Sequence, residues 1–138
     1  MNRAILCSAI EGLSSQYGYH FQLNDKSYYP TTISRYPAAF MVQPEFEGIE
    51  GRQHGRITYK VALRLAQQGA KLTPTERNAL LDQMERELME IFVALSKTEC
   101  VAVVDKLTIS PCSEAIDAHG AIALEAKANV TTIFNLKK

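Results

Sequence analysis

The chain has 138 residues, of which 46% are hydrophobic and 22% are charged, and its fifteen basic and fifteen acidic residues cancel. This length and composition indicate one folded domain and exclude a disordered chain. The zero net charge disfavours proteins that bind nucleic acid through a large positive potential, so we expect no sequence-specific nucleic-acid partner.

The first elements that the sequence predicts are a helix and a short strand. Apolar residues at helical spacing indicate a helix from Asn2 to Tyr17 that ends at Gly18, a residue typical of helix C-termini. Residues 19–23 then alternate between apolar and polar, which predicts a strand. The turn residues 24–25 and the aromatic residues that follow favour a short hairpin or a strand pair.

The next segment predicts two strands separated by a glycine-rich stretch. Residues 38–43 are apolar and end at Pro44, so we expect a strand that lies partly at an edge of the sheet. Residues 45–56 contain three glycines and several charges, which favours a flexible arm, either a mobile loop or a long hairpin connection. Residues 57–65 show the clearest period-two alternation in the chain and predict a strand.

The strongest local pattern is a long amphipathic helix from Thr73 to Leu95. Thr73 is a good N-cap, Pro74 suits the first helical position, and Glu76 is placed to complete a capping box. One face of this helix is apolar, which predicts that the helix packs on a core. The apolar residues are Leu80, Leu81, Met84, Leu88, Ile91, Phe92 and Leu95.

Two further strands complete the predicted fold, at residues 101–109 and 122–134. The order of elements lacks the repeated strand–helix alternation of a doubly wound sheet. We therefore predict a single α+β domain over residues 1–138. It has a mostly antiparallel twisted sheet, with the N-terminal helix and the long amphipathic helix packed on one face.

The residues that could carry chemistry form no recognisable motif. The histidines, His20, His54 and His119, and the cysteines, Cys7, Cys100 and Cys112, lack the spacing of metal ligands or of a nucleophile with its base. The sequence therefore predicts no catalytic residue, no metal site and no cofactor. An odd number of cysteines indicates a reducing cytoplasm, and the longest apolar run is far shorter than the roughly 20 residues that span a bilayer.

As a whole, the chain resembles the small tail-terminator and tail-completion (neck) proteins of long-tailed bacteriophages and prophages. The resemblance lies in the strand at residues 55–65, the capped helix that follows Thr73, and the strands at residues 103–109 and 128–134. It implies a structural assembly protein with no catalytic residues, which forms a ring, typically hexameric. Its partners would be tail-tube and head-connector proteins. It would be cytoplasmic during assembly and part of the virion afterwards.

This resemblance also implies a subunit interface. The glycine-rich stretch would contact neighbouring subunits, and the acidic side of the long helix would either face solvent or meet basic residues of a neighbour. A solvated strand face explains Arg64 equally well. The candidate interface residues are Glu45, Glu47, Glu50, Arg52, His54, Arg56, Arg64, Asp82, Glu85 and Glu90.

A second hypothesis comes from another class of protein. An α+β domain of this size could bind a small ligand or catalyse a reaction in a pocket between the sheet and the helix. Cys112, His119 or Tyr59 would then lie at the mouth of the pocket.

Overall fold

The computed structural model describes residues 2–24, 36–69, 71–112 and 121–136. These residues form two helices and six strands, which confirms the predicted α+β fold. In chain order the elements are α1 (Asn2–Gln16), β1 (His20–Asn24), β2 (Ala38–Val42), β3 (Glu45–Gly51), β4 (His54–Gln67), α2 (Pro74–Ser96), β5 (Val101–Pro111) and β6 (Ile122–Asn135).

The six strands form one sheet in the order β1-β2-β4-β6-β5, and β3 pairs with β4. Strands β1 and β2 are parallel and the other pairs are antiparallel. The central pair, β4 and β6, stays in register from His54–Asn135 to Gln67–Ile122. The other edge of β4 is shared, because β2 pairs with Leu63–Ala66 and β3 pairs with residues 55–60.

Local sequence signals set the bounds of both helices. The Thr73 hydroxyl accepts a hydrogen bond from the Glu76 backbone N–H at 3.2 Å, and the Glu76 carboxylate accepts one from the Thr73 N–H at 2.9 Å. This capping box satisfies two N–H groups that a helix start would otherwise leave unpaired. Helix α1 ends before Gly18, which has a φ of 83°.

Both helices pack on the same face of the sheet. The core between them contains every second residue of β4, together with the apolar sides of α1 and α2. Its fully buried larger side chains include Leu6, Ile10, Leu63, Leu65, Met84, Leu88, Ile91, Phe92 and Leu95. The alternate residues of β4 and β6 point to the opposite face, which we call the outer face.

Strand β2 lies deeper in the sheet than the sequence predicts. It sits between β1 and β4 rather than at an edge, and Ala38 to Met41 are buried. Ala39 and Met41 belong to the main core, whereas Ala38 and Phe40 form a second cluster with Ala66 and Ala123 on the outer face. A strand that is buried on both faces shows no alternation from which its position could be inferred.

Two other segments differ from the expectations or lie outside the described residues. Residues 45–56, interpreted as a flexible arm in the form of a mobile loop or a long hairpin connection, instead form β3 and the start of β4, which pair with each other. Strand β1 pairs with β2 in parallel, and the aromatic residues expected to pair with it, Tyr28 and Tyr29, lie outside the described residues. The same holds for His119.

Candidate functional site

The β3–β4 hairpin carries most of the candidate interface residues. Glu45 lies opposite Lys60, and Glu50 lies opposite Arg56. Oppositely charged residues that face each other across a strand pair favour the pairing by roughly 0.2–1 kcal/mol. Glu47 lies where the register shifts between Phe46 and Gly48. The charges of this segment therefore help to form a regular hairpin.

The turn of the hairpin is fixed by two glycines. Gly51 has a φ of 104°, and a Cβ atom there would collide with the carbonyl oxygen of His54. A Cβ atom at Gly55 would collide with the carbonyl oxygen of Glu50. Between the glycines, Arg52 and His54 are exposed to solvent, so the turn presents basic and imidazole groups at one end of the sheet.

The turn is also hydrogen-bonded to Leu136, the last residue that the structure describes. The backbone N–H of Leu136 donates a hydrogen bond to the carbonyl oxygen of Gln53 at 2.6 Å. Strand β6 pairs with β4 up to Asn135 and His54. The hairpin thus has backbone partners along its full length on the β6 side.

Two apolar side chains on β3 were missed by the sequence reasoning. Phe46 is 50% exposed and Ile49 is 53% exposed, and both lie on the side of the sheet that carries the helices, opposite Tyr59 and Ile57. The ring of Phe46 meets that of Tyr59 edge to face, with 6.0 Å between centroids. Within the described residues β3 pairs only with β4. A possible signal was the placement of two large apolar residues in an otherwise charged segment.

Arg3 of α1 contacts both Tyr59, the residue beside this apolar pair, and Pro44, which precedes β3. The Arg3 guanidinium lies 5.4 Å from the centroid of the Tyr59 ring and donates a hydrogen bond to the carbonyl oxygen of Pro44. A cation over an aromatic face is attracted by the ring quadrupole. Arg3 therefore fixes the point at which the chain passes from β2 to β3.

The acidic candidates lie on α2, away from the hairpin residues in the sequence and on a different element. Asp82, Glu85 and Glu90 are exposed, and Glu90 pairs with Arg86 at 3.9 Å. Within the described residues, no ion pair joins these acids to Arg52 or Arg56. The structure of one chain therefore does not bring the predicted acidic and basic sets together.

Arg64 differs from the other basic candidates because it is buried. Its residue is only 7% exposed, and its Nη2 lies 3.1 Å from Oε2 of Glu125. The other oxygen of the Glu125 carboxylate lies 3.6 Å from Nζ of Lys127. Of the two interpretations of Arg64, the solvated strand face is wrong, because the cross-strand carboxylate of Glu125 on β6 holds its guanidinium against the sheet.

A cleft of about 590 Å³ lies on the outer face and is lined by residues of β2, β3, β4, β5 and β6. On β4, the small side chain of Ala62 lies between the longer side chains of Lys60 and Arg64, so the outer surface is recessed at this point. The polar residues that line the cleft are Gln43, Glu45, Lys60, Arg64, Lys106, Glu125, Lys127 and Asn129.

The space between the sheet and the helices, where the second hypothesis places a pocket, holds packed side chains of the core. Tyr59 is only 4% exposed within that core. Cys112 is partly buried beside the second cluster on the outer face. The cleft thus lies on the opposite face from the one that the hypothesis names.

The remaining titratable residues are spread over the fold. Burial raises the pKa of the Cys7 thiol, and the nearby charge of Arg3 partly offsets this effect. A raised pKa leaves less thiolate, the nucleophilic form, at neutral pH. Among the described residues, Cys7, Cys100 and Cys112 are in no disulfide bond, and each is partly buried. In the part of the chain that the structure describes, no three His, Cys, Asp or Glu side chains are grouped to hold a metal ion.

Neither α1 nor α2 is both long and apolar enough to cross a bilayer. The whole chain was then compared with known proteins. No protein-family model and no curated protein matches it.

Proposed function

We propose that this chain is a structural assembly protein of a phage or prophage tail, which acts as a tail terminator or head–tail connector in a ring of identical subunits. The observation that carries the assembly role is the pair Phe46 and Ile49, both half exposed on a strand whose second edge has no partner in the described residues. Apolar side chains at an open strand edge are typical of surfaces that another chain covers.

The tail function itself rests on the resemblance in the order and type of the elements. A ring requires two different surfaces on each subunit, because a head-to-tail contact repeats around the axis. The hairpin and the acidic side of α2 lie on different elements and are available for such a contact. The partners would then be further copies of the chain, the tail tube and the head connector. The protein would assemble in the cytoplasm and remain in the virion.

The mass of the purified chain in solution tests this proposal. We expect light scattering to show an oligomer and electron micrographs to show rings. Substitution of Phe46→Glu together with Ile49→Glu should convert the oligomer to monomers with an unchanged circular dichroism spectrum. Ile5→Glu is the matched control, since Ile5 is 46% exposed on α1 and should not affect assembly.

A monomer at every concentration, without rings in the micrographs, would contradict the assembly role. Assembly of the Phe46→Glu, Ile49→Glu variant as efficient as that of the wild type would remove β3 from the interface. Addition of the purified chain to isolated tail tubes is the second measurement, and it should show binding at one end of the tube.

A further inference from the structure

The cleft on the outer face has an excess of positive charge. Four basic side chains line it, Lys60, Arg64, Lys106 and Lys127, against the two carboxylates Glu45 and Glu125. Glu125 is already paired with Arg64 and Lys127, at 3.1 and 3.6 Å. Lys60 and Lys106 have no carboxylate within 4.0 Å among the described residues. Four basic side chains and two carboxylates leave the cleft with an excess of two positive charges. Glu45 lies opposite Lys60 across the β3–β4 pair and offsets part of the charge of that lysine.

The exposed side of α2 has the complementary character. Asp82, Glu85, Met89 and Val93 follow one another at steps of three or four residues, which places them on one side of the helix. Met89 is 51% exposed and Val93 is 53% exposed. Neither Asp82 nor Glu85 is in an ion pair with a described residue. This acidic and apolar strip extends over about 17 Å at 1.5 Å per residue.

The cleft and the strip lie on opposite layers of the subunit. The strip points away from the buried side of α2, which packs on the inner face of the sheet. The cleft lies on the outer face, beyond the same sheet. One subunit therefore presents the basic cleft on one side and the acidic, partly apolar strip on the other.

We propose that the cleft binds the Asp82–Val93 side of α2 from a second copy of this chain. This inference rests on the proposed function, because it names a contact between identical subunits in addition to that of Phe46 and Ile49. Lys60 and Lys106 receive the carboxylates of Asp82 and Glu85, while Met89 and Val93 lie near Val42 and Ala62. Each copy then offers its cleft to one neighbour and its helix to the other, which is the head-to-tail arrangement that a ring requires.

Charge complementarity favours this occupant over nucleic acid. The chain has no net charge, so a polyanion would meet the acidic surface of the protein as well as the cleft. The strip on α2 instead carries two carboxylates, Asp82 and Glu85, which match the two lysines Lys60 and Lys106 of the cleft. Because exposed charges are screened by salt, the association should weaken as the ionic strength rises.

Charge-reversed variants of the full chain test the proposal by sedimentation velocity at low salt. Lys60→Glu with Lys106→Glu reverses the cleft, and Asp82→Lys with Glu85→Lys reverses the strip. We expect each double variant alone to self-associate at least about tenfold more weakly than the wild type. An equimolar mixture of the two should recover association, since opposite charges meet at both contacts when the two variants alternate.

The controls are single charge reversals of each sign elsewhere on the surface. Lys71→Glu and Glu11→Lys alter exposed residues outside the cleft and the strip, and they should associate like the wild type. Circular dichroism and thermal melting check that each variant is folded. If charge reversal prevents folding, Lys60→Gln with Lys106→Gln is the second variant, and it should weaken association in the same direction.

The outcomes separate this inference from the proposed function. If the wild type assembles and the charge-reversed variants assemble equally well, the cleft is not the contact, although the assembly role stands. If the variants lose association and their mixture does not recover it, the pairing of cleft and strip is wrong. A wild type that never associates overturns both. Binding of a DNA duplex or of succinate that is lost in Lys60→Glu, Lys106→Glu, with self-association unchanged, would assign the cleft to that other occupant.

Discussion

At the scale of single residues, Tyr19 links three elements of the fold. Its side chain follows α1, its hydroxyl donates to Oε1 of Glu87 on α2 at 2.6 Å, and it accepts a hydrogen bond from Nε2 of Gln67 on β4 at 3.0 Å. Burial, followed by the hydrogen bond to Glu87, raises the pKa of Tyr19 well above its ordinary value of 10.0, while Gln67 has the opposite effect. The neutral phenol is therefore the form that the folded state stabilises.

Replacing Tyr19 with Phe should lower the free energy of unfolding by about 1 kcal/mol at neutral pH, because two side-chain hydrogen bonds are lost and the apolar ring is kept. Urea denaturation measures this difference. The raised pKa in the folded state means that the contribution of Tyr19 is complete below pH about 10 and is lost as the pH rises above it. The variant should lose less stability over that alkaline range, and an identical loss in both proteins would contradict this assignment.

At the scale of elements, α2 and the β3–β4 hairpin each depend on a local device. The capping box begins α2 at a defined residue, and the glycines of the hairpin allow the backbone to approach itself closely. Both devices use backbone groups of neighbouring residues, so each can be tested without disturbing the core.

Thr73→Ala should lower the free energy of unfolding by about 1 kcal/mol, since the N–H of Glu76 loses its side-chain acceptor. Thr75→Ala is the control, because this exposed threonine in the same turn is outside the capping box. Denaturation with urea compares the two. Equal stability of the two variants would show that the cap makes no contribution.

The same box has a defined pH dependence. Hydrogen bonds from the Thr73 backbone and side chain lower the pKa of the Glu76 carboxyl from 4.5. The carboxylate therefore stabilises the fold above that pH, and its contribution is lost as the pH falls through the lowered value. In Glu76→Gln, this part of the acid-induced loss of stability should be absent.

Gly55→Ala should destabilise the protein by roughly 1–3 kcal/mol, because the new Cβ atom would collide with the carbonyl oxygen of Glu50. Gly48→Ala is the matched control in the same hairpin, since no atom lies within 4 Å of a Cβ added there. Thermal melting of the two variants makes the comparison. If the Gly55→Ala and Gly48→Ala variants have the same melting temperature, the hairpin turn does not require a glycine at position 55.

At the scale of the whole molecule, the main hydrophobic core and the proposed assembly surfaces occupy different regions of the fold. The helices and the inner face of the sheet share a single core. The exposed hairpin residues, the outer face and the outward side of α2 are largely outside it. Substitutions in these two regions should therefore affect different measurements.

Adjacent residues of α2 provide the test. Phe92 is 1% exposed and Val93 is 53% exposed. Phe92→Ala should lower the free energy of unfolding by about 3–5 kcal/mol because it leaves a cavity in the core. Val93→Ala should change it by less than about 0.5 kcal/mol. Urea denaturation measures both changes. A similar loss of unfolding free energy in the two variants would contradict the packing of one side of α2 on the sheet.

The candidate surface was only partly predictable from the sequence. The charged residues at 45–56 were recognised, and most of them are exposed on the hairpin. Phe46 and Ile49 were missed because the glycines and charges of residues 45–56 indicate a loop rather than a strand. A solvated face was one of the two interpretations of Arg64. Its burial could not be predicted, because Glu125, whose carboxylate holds the guanidinium, is 61 residues away in the sequence. The cleft combines residues of five strands, β2 to β6, so no local pattern could reveal it.

By itself the sequence determined the bounds of α1 and α2, the long strands β4 and β6, and the α+β class. These features depend on capping groups and on the period of apolar residues, which act between near neighbours in the chain. Only the tertiary structure decided that β2 is buried, that β1 and β2 are parallel, that residues 45–56 form a hairpin, and that Lys60 and Lys106 share a cleft. These features depend on strand pairing and on contacts between distant residues, whose energy is set when the sheet forms.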